Sequence, residues 1–243
     1  MKKHKELFIS FEDESVVAIS KPAGLPAIPI PNSEGDSAWS LLSAMLKRRK
    51  ARAYVVHRID RFTSGLMLFA KTEGDRDVMV KQFLAHTPVR EYLAVVRGKL
   101  PVKEGTMVHY FRKEGLFQRL RPEKEPGAAR AELRYRVERP LRNASLVRVS
   151  IITGLQNQIR AQFSAAGHPI IGDRKYNPEE AKEKHIDRVA LHSAHLEFRH
   201  PRTKKLIVVE SEPPPDFKSL VKMLSPKPPK PQKPPKPEAP PEA

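Results

Sequence analysis

At 243 residues and 39% hydrophobic side chains, the chain can bury one good core or divide it into two lobes, with one domain as the default. It has no cysteine, which removes disulfides, thiolate metal sites and cysteine nucleophiles together and suits a reducing compartment. Forty-five Lys and Arg against 28 Asp and Glu give a net charge of +17, which favours a polyanionic partner, nucleic acid ahead of an acidic membrane surface, with mere solubility as the remaining reading. The basic start Met1-Lys2-Lys3-His4-Lys5-Glu6 is followed by no apolar signal core. No run approaches the roughly 20 apolar residues of a bilayer span, so a cytoplasmic protein without membrane contact is expected.

In chain order, the apolar pattern predicts a strand over 16–20 and a helix over 37–49, where Trp39, Leu42, Met45 and Leu46 sit at helical spacing and the sole Trp is read as core. A strand over 66–70 follows, and Thr72-Glu73-Gly74-Asp75 resembles a capping box ahead of a helix over 75–86. Strands over 92–96, 131–137 and 146–152 precede a third helix over 157–166; strands over 189–198 and 206–209 come next. The class is α+β, a mixed and mostly antiparallel central sheet with flanking helices. One folded domain over 1–224 and a disordered Pro/Lys-rich tail over 225–243, which holds nine of the 24 prolines, are expected. The tail carries four Lys and two Glu, so +15 of the charge stays with residues 1–224. As a polyproline II helix it would line up Lys227, Lys230, Lys233 and Lys236 along one edge, although solubilisation is the preferred role.

The densest chemistry lies in His57-Arg58-Ile59-Asp60-Arg61-Phe62-Thr63-Ser64-Gly65, a charged loop just before an apolar strand. It is either a turn whose Thr63 and Ser64 bond backbone, or a loop that delivers Asp60, with Arg58 and Arg61 keeping the carboxylate ionised and aimed. Arg160, one turn into a predicted helix, could pair with Asp60 or be an ordinary surface arginine. Tyr92, at the start of a strand in Arg90-Glu91-Tyr92, could stack on a base or simply pack. Lys47, Arg48, Arg49, Lys50 and Arg52 form a basic cluster suited to RNA phosphates. His192 and His195, three apart on a predicted strand, point to opposite faces and are rejected as a metal pair. Faint echoes of kinase motifs at 17–21 and 57–60 lack a glycine-rich phosphate loop and are rejected as well.

In order, these segments resemble the RluA-type family of pseudouridine synthases. The family signature His-Arg-Leu-Asp, two variable residues, then Thr-Ser-Gly stands here as residues 57–65. Ser20-Lys21-Pro22-Ala23-Gly24-Leu25-Pro26 is similar to its Lys-Pro-Ala-Gly segment, and Arg90-Glu91-Tyr92 to its Lys-x-Tyr strand. Gly167-His168-Pro169-Ile170-Ile171-Gly172-Asp173 and residues 191–198 extend the likeness over roughly 7–217. One departure stands out: where the family has Gly-Arg-Thr-His-Gln-Ile-Arg, this chain has Gly154-Leu155-Gln156-Asn157-Gln158-Ile159-Arg160.

The resemblance implies a pseudouridine synthase-like catalytic domain that isomerises uridine in structured RNA, ribosomal ahead of transfer RNA, without cofactor or metal and as a monomer. A uridine must leave its stack to be worked on, at a cost of roughly a few kcal/mol that RNA-binding energy offsets. It further implies Asp60 as the residue that attacks C1′ or removes a ribose proton, Arg160 as its ionic partner and Tyr92 as a stacking platform that could assist proton removal at C5. Arg58, Arg61 and Arg90 join the 47–52 cluster as expected RNA contacts. The alternatives are an inactive RNA-binding or ribosome-assembly protein with the same fold, and a basic DNA-binding protein, for which no helix-turn-helix or zinc-finger pattern is present.

Overall fold

A computed structural model describes residues 7–32, 35–178 and 186–226. Its strands are β1 (Phe8–Glu12), β2 (Val16–Lys21), β3 (Tyr54–Val55), β4 (Ser64–Ala70), β5 (Val89–Arg97), β6 (Glu104–Glu114), β7 (Phe117–Arg121), β8 (Ala129–Leu141), β9 (Ala144–Ile151), β10 (Leu191–Arg199) and β11 (Leu206–Glu210). The described helices are α1 (Ala38–Lys47), α2 (Glu73–Leu84), α3 (Gln158–Ala165) and α4 (Pro215–Leu224). The strands form one sheet in the order β1-β2-β4-β10-β5-β9-β8-β6-β7, with β3 beside β4 and β11 beside β10. All described pairings are antiparallel except β4 with β10. The mixed, mostly antiparallel α+β class is therefore what the chain adopts. The expected lysine edge at 227–236 lies outside the described residues.

The halves of the sheet are built differently because their strands are patterned differently. β4 reads Ser-Gly-Leu-Met-Leu-Phe-Ala and is buried throughout. Leu66, Leu68 and Ala70 face Met79 and Phe83 of α2, whereas Met67 and Phe69 face Leu42 and Leu46 of α1. A strand covered on both faces needs apolar side chains at consecutive positions. β8 alternates instead: Ala131, Leu133 and Tyr135 are buried, and Arg130, Arg134 and Arg136 are exposed. The buried side chains of this half meet Ile159 and Phe163 of α3 and Phe217 and Leu220 of α4. Burying a side chain such as Phe163 contributes about 1.5–3 kcal/mol.

β4 and β10 run together through Ser64↔His192 and Gly65↔Ser193, after which β4 continues beside β3 and β10 beside β11. Gly65 makes this approach possible. Its φ is +104°, and a Cβ there would lie 2.1 Å from the Ser193 carbonyl oxygen. The loop that enters β4 is thus fixed against the centre of the sheet.

Several elements differ from the sequence expectations. The β6–β7 hairpin was not predicted because its strands are half exposed and charged; it turns at Gly115-Leu116, with Gly115 at φ +57°. α4 was not predicted either, although Phe217, Leu220, Val221 and Leu224 have helical spacing and Pro215 opens the helix. Trp39 packs against the core on α1, its indole N–H donating to the Ala53 carbonyl (2.9 Å). Thr72 caps α2, accepting from the Asp75 N–H at 3.1 Å.

Candidate active site

The loop between β3 and β4 is anchored at alternate residues. His57 stacks on Phe83 with ring centroids 4.5 Å apart, and its Nε2 accepts from the Leu68 N–H at 3.1 Å. Burial first, and the nearby Arg90 cation second, lower the His57 pKa to about 3, so the ring is neutral. Ile59 enters the core, Arg58 is exposed, and Asp60 is partly exposed in the wall of a cavity of about 690 Å³.

The segment 21–25 braces this loop. The fully buried Lys21 ammonium donates to the carbonyls of Pro22 (3.1 Å), Leu25 (2.8 Å) and Arg61 (3.0 Å). The Gly24 N–H donates to the Arg61 carbonyl at 2.8 Å, and Arg61 Nε returns a bond to the Gly24 carbonyl at 3.1 Å. Arg61 is therefore largely part of the loop's framework, with its guanidinium over Phe62. The segment Thr63-Ser64-Gly65 is divided: the Thr63 N–H closes a turn on the Asp60 carbonyl (3.1 Å), while Ser64 and Gly65 already belong to β4. The Ser64 hydroxyl meets His192 Nδ1 at 2.9 Å rather than backbone. His192 is buried, and His195 lies against Glu197 at 2.8 Å.

Arg160 reaches the same cavity from the opposite wall. Its Nη1 lies 3.4 Å from Asp60 Oδ2, but its closer partner is Asp173, which accepts from Nε at 2.8 Å and Nη2 at 2.7 Å in a two-pronged pair. Asn157 Oδ1 accepts from Nη1 at 2.8 Å. The Tyr176 ring lies beneath the guanidinium, 5.4 Å from its carbon. Burial opposes the Arg160 charge, yet the hydrogen bond and charge of Asp173, helped by Asp60, leave its pKa raised. Arg160 is 8% exposed, so it is not an ordinary surface arginine.

Asp173 and Asn157 are not identifiable as partners of Arg160 from sequence pattern. Gly172 was a usable signal: its φ is +78°, and a Cβ there would strike the Arg188 carbonyl oxygen at 2.0 Å, so the sharp turn before Asp173 needs glycine. Asp173 has a side chain with no exposed surface and also accepts the backbone N–H of Lys175 (3.1 Å) and Tyr176 (3.2 Å). Asn157 occupies the left-handed region at φ 56°, which asparagine tolerates well.

Tyr92 and Arg90 line the floor. Tyr92 is interior to β5 and buried. Burial raises its phenol pKa, Arg90 opposes that shift and the Asp60 charge adds to it, while a hydrogen bond with Ser193 lowers it. The ring is therefore a neutral phenol. Arg90 is buried too, with its guanidinium carbon 5.7 Å from the Phe83 ring centroid. The cavity thus gathers Arg58, Asp60, Arg61, Arg90, Tyr92 and Arg160. It does not include the 47–52 cluster, which lies at the exposed end of α1 and beyond, where Arg49 pairs with Glu12 at 3.0 Å.

Such a cavity, wide enough for a nucleotide and combining a carboxylate, an aromatic face and several cations, suits a flipped-out base of an RNA strand. Residues 15–165 match the RNA pseudouridylate synthase family. The ribosomal large subunit pseudouridine synthase D of Zymomonas mobilis is 34% identical over 235 residues, covering 90% of this chain and 73% of that protein. The dual-specificity RNA pseudouridine synthase RluA of Vibrio cholerae is 34% identical over 204 residues, covering 80% of this chain and 78% of that protein. The structure of human RNA pseudouridylate synthase domain containing 4 superposes with a TM-score of 0.73 at 22% identity, over 89% of this chain and 92% of that one, which shows a shared fold. With a match that spans the Asp60 loop, the sheet beneath it and Arg160, the chain belongs to the RNA pseudouridylate synthase family.

Proposed function

We propose that this enzyme isomerises a uridine of large-subunit ribosomal RNA, with Asp60 as the catalytic residue and the wall opposite as its support. The single observation that carries the site assignment is the convergence of Asp60, Arg160 and Tyr92 on one cavity. The ribosomal substrate rests on the name of the Zymomonas relative; transfer RNA is the second choice, since the Vibrio relative is named for dual specificity. The reaction breaks N1–C1′, turns the base, forms C5–C1′ and exchanges the C5 proton for one at N1. It is redox-neutral and leaves no group to activate, so the residues of the chain suffice without cofactor or metal.

Asp60 acts on C1′ or on a ribose proton. Its 3.4 Å separation from Arg160 Nη1 suits either, because a carboxylate held loosely can still move toward the sugar. Arg160 is already neutralised by Asp173 and serves to aim Asp60. Tyr92 is a stacking platform for the uracil; a phenol whose pKa is raised by burial is poorly suited to take the C5 proton. Arg58, exposed at the cavity, is an RNA contact, whereas the contribution of Arg61 is to loop structure. The 47–52 cluster would meet RNA away from the cavity. The enzyme is taken to act as a cytoplasmic monomer; among the described helices none is long and apolar enough to cross a membrane. Mapping pseudouridines in ribosomal and transfer RNA from cells with and without the gene tests the substrate. Loss of a large-subunit site is the expected result, and an unchanged ribosomal map with a lost transfer RNA site would reverse the choice.

A further inference from the structure

Arg90 is 8% exposed, and its guanidinium makes no hydrogen bond or ion pair among the described residues. Nε and Nη2 are shut off from solvent without partners. Its guanidinium carbon lies 5.7 Å from the centroid of the Phe83 ring, on which His57 also stacks at 4.5 Å. A buried guanidinium is ordinarily paired, as Arg160 is here with Asp173 and Arg188 with Asp216. Room is also kept for it. A Cβ on Gly154 would lie 3.2 Å from Nη1, so any side chain there would press on the guanidinium, although the backbone at Gly154 does not require glycine. Both residues line the cavity that holds Asp60 and Tyr92, and Arg90 shares a strand face with Tyr92, two residues away.

We propose that Arg90 is an anion subsite of this cavity, left unpaired in the free enzyme so that an anionic oxygen of the bound target nucleotide completes it, with Gly154 holding the space open. This rests on the reading that the cavity receives the target uridine. Two oxygens of that nucleotide have the required chemistry. A phosphodiester flanking the uridine is anionic from the moment of binding. The uracil O2 and O4 gain charge when the N1–C1′ bond breaks, because its electron pair stays with the base and spreads onto those oxygens until C5 bonds to C1′. A guanidinium already desolvated and fixed would meet either with little reorganisation.

The test combines thermal unfolding of the free enzyme with turnover on a large-subunit ribosomal RNA transcript carrying C5-tritiated uridine, for wild type, Arg90→Met, Arg90→Lys and Gly154→Ala. Arg90→Met should unfold at or above the wild-type temperature, since it removes an unpaired buried charge, yet lose at least about 100-fold in kcat/KM. Arg90→Lys should recover part of the loss, and Gly154→Ala should lower kcat/KM with little change in Tm. A phosphate source appears as a raised KM and as no further loss when a methylphosphonate replaces the phosphate beside the target uridine. A uracil source appears as a lowered kcat with KM kept. Arg90→Met that unfolds earlier while keeping kcat/KM within about threefold of wild type, after correction for the folded fraction, would make Arg90 structural and overturn the proposal. Wild-type enzyme that releases no tritium would overturn the reading of the cavity and this inference with it.

Discussion

Two buried arginines line the same cavity and solve the problem of a desolvated charge in opposite ways. Arg160 sits on α3 with a two-pronged bond to the buried Asp173, a third acceptor in Asn157 and an aromatic ring beneath it. Arg90 sits on β5 as deeply buried, with no acceptor for its guanidinium among the described residues. Correspondingly, the Arg160 pKa is raised despite burial, whereas burial lowers that of Arg90. The difference teaches that burial alone does not define a structural arginine: one side of the cavity is complete before RNA arrives and the other is not.

The comparison is broken most forcefully at Asp173. Asp173→Asn removes the nearer charged partner of Arg160 and leaves it Asn157 and the looser Asp60, and losing one partner of a buried pair costs about 3–5 kcal/mol. Urea unfolding should register that loss, and turnover should fall further than the folded fraction explains because Arg160 no longer has a fixed position. A variant as stable as wild type would mean that Asn157 and Tyr176 hold Arg160 unaided.

A smaller effect comes from pH. His57 titrates at about 3 in the folded enzyme against 6.5 ordinarily, burial being the larger cause and the Arg90 cation the next. His192, also depressed by burial, titrates at about 4. For both, the unfolded chain binds the proton first, so their neutral state lends stability that is whole above pH 6.5 and is lost as pH falls toward the folded values. Between pH 6.5 and 5 each should cost up to about 2 kcal/mol, seen as a drop in the unfolding midpoint. Arg90→Met should make the decline shallower by relieving His57, while Asp173→Asn should leave the slope alone.

The mildest test removes the third acceptor of Arg160. Asn157→Gly keeps the left-handed backbone and deletes Oδ1, so stability should change by about 1 kcal/mol or less. Turnover should fall by roughly tenfold if Asn157 keeps Nη1 directed toward Asp60, a loss of about 1.4 kcal/mol in transition-state stabilisation.

Much of this is legible in the sequence alone, because some residues declare their environment and others do not. The run from Leu66 to Ala70 is apolar at successive positions, which only a strand covered on both faces can bury, and Asp60 sits in a motif of high specificity. The α2 cap was readable from Thr72 and Asp75, three residues apart. β6 and β7 were not legible because Met107-Val108 and Tyr110-Phe111 place apolar residues side by side among charged ones, which breaks the alternation that marks β8, and α4 was hidden behind prolines that mark its start. The pairing of Arg160 with Asp60 was anticipated, but the tighter bond to Asp173 was not, since partners 13 residues apart across a turn leave no periodic trace. Nor could sequence distinguish Arg90 from the cluster at 47–52: all are basic, and only packing separates a buried cation from solvated ones.

The most direct measurement is tritium release from C5-tritiated RNA by Asp60→Asn beside wild type, with unfolding and RNA binding followed on the same preparations. The account predicts that Asp60→Asn folds and binds RNA within about twofold of wild type while release falls by about 1000-fold or more. Release above about a tenth of the wild-type rate, from a preparation free of other synthases, would contradict the assignment of Asp60 as the catalytic residue.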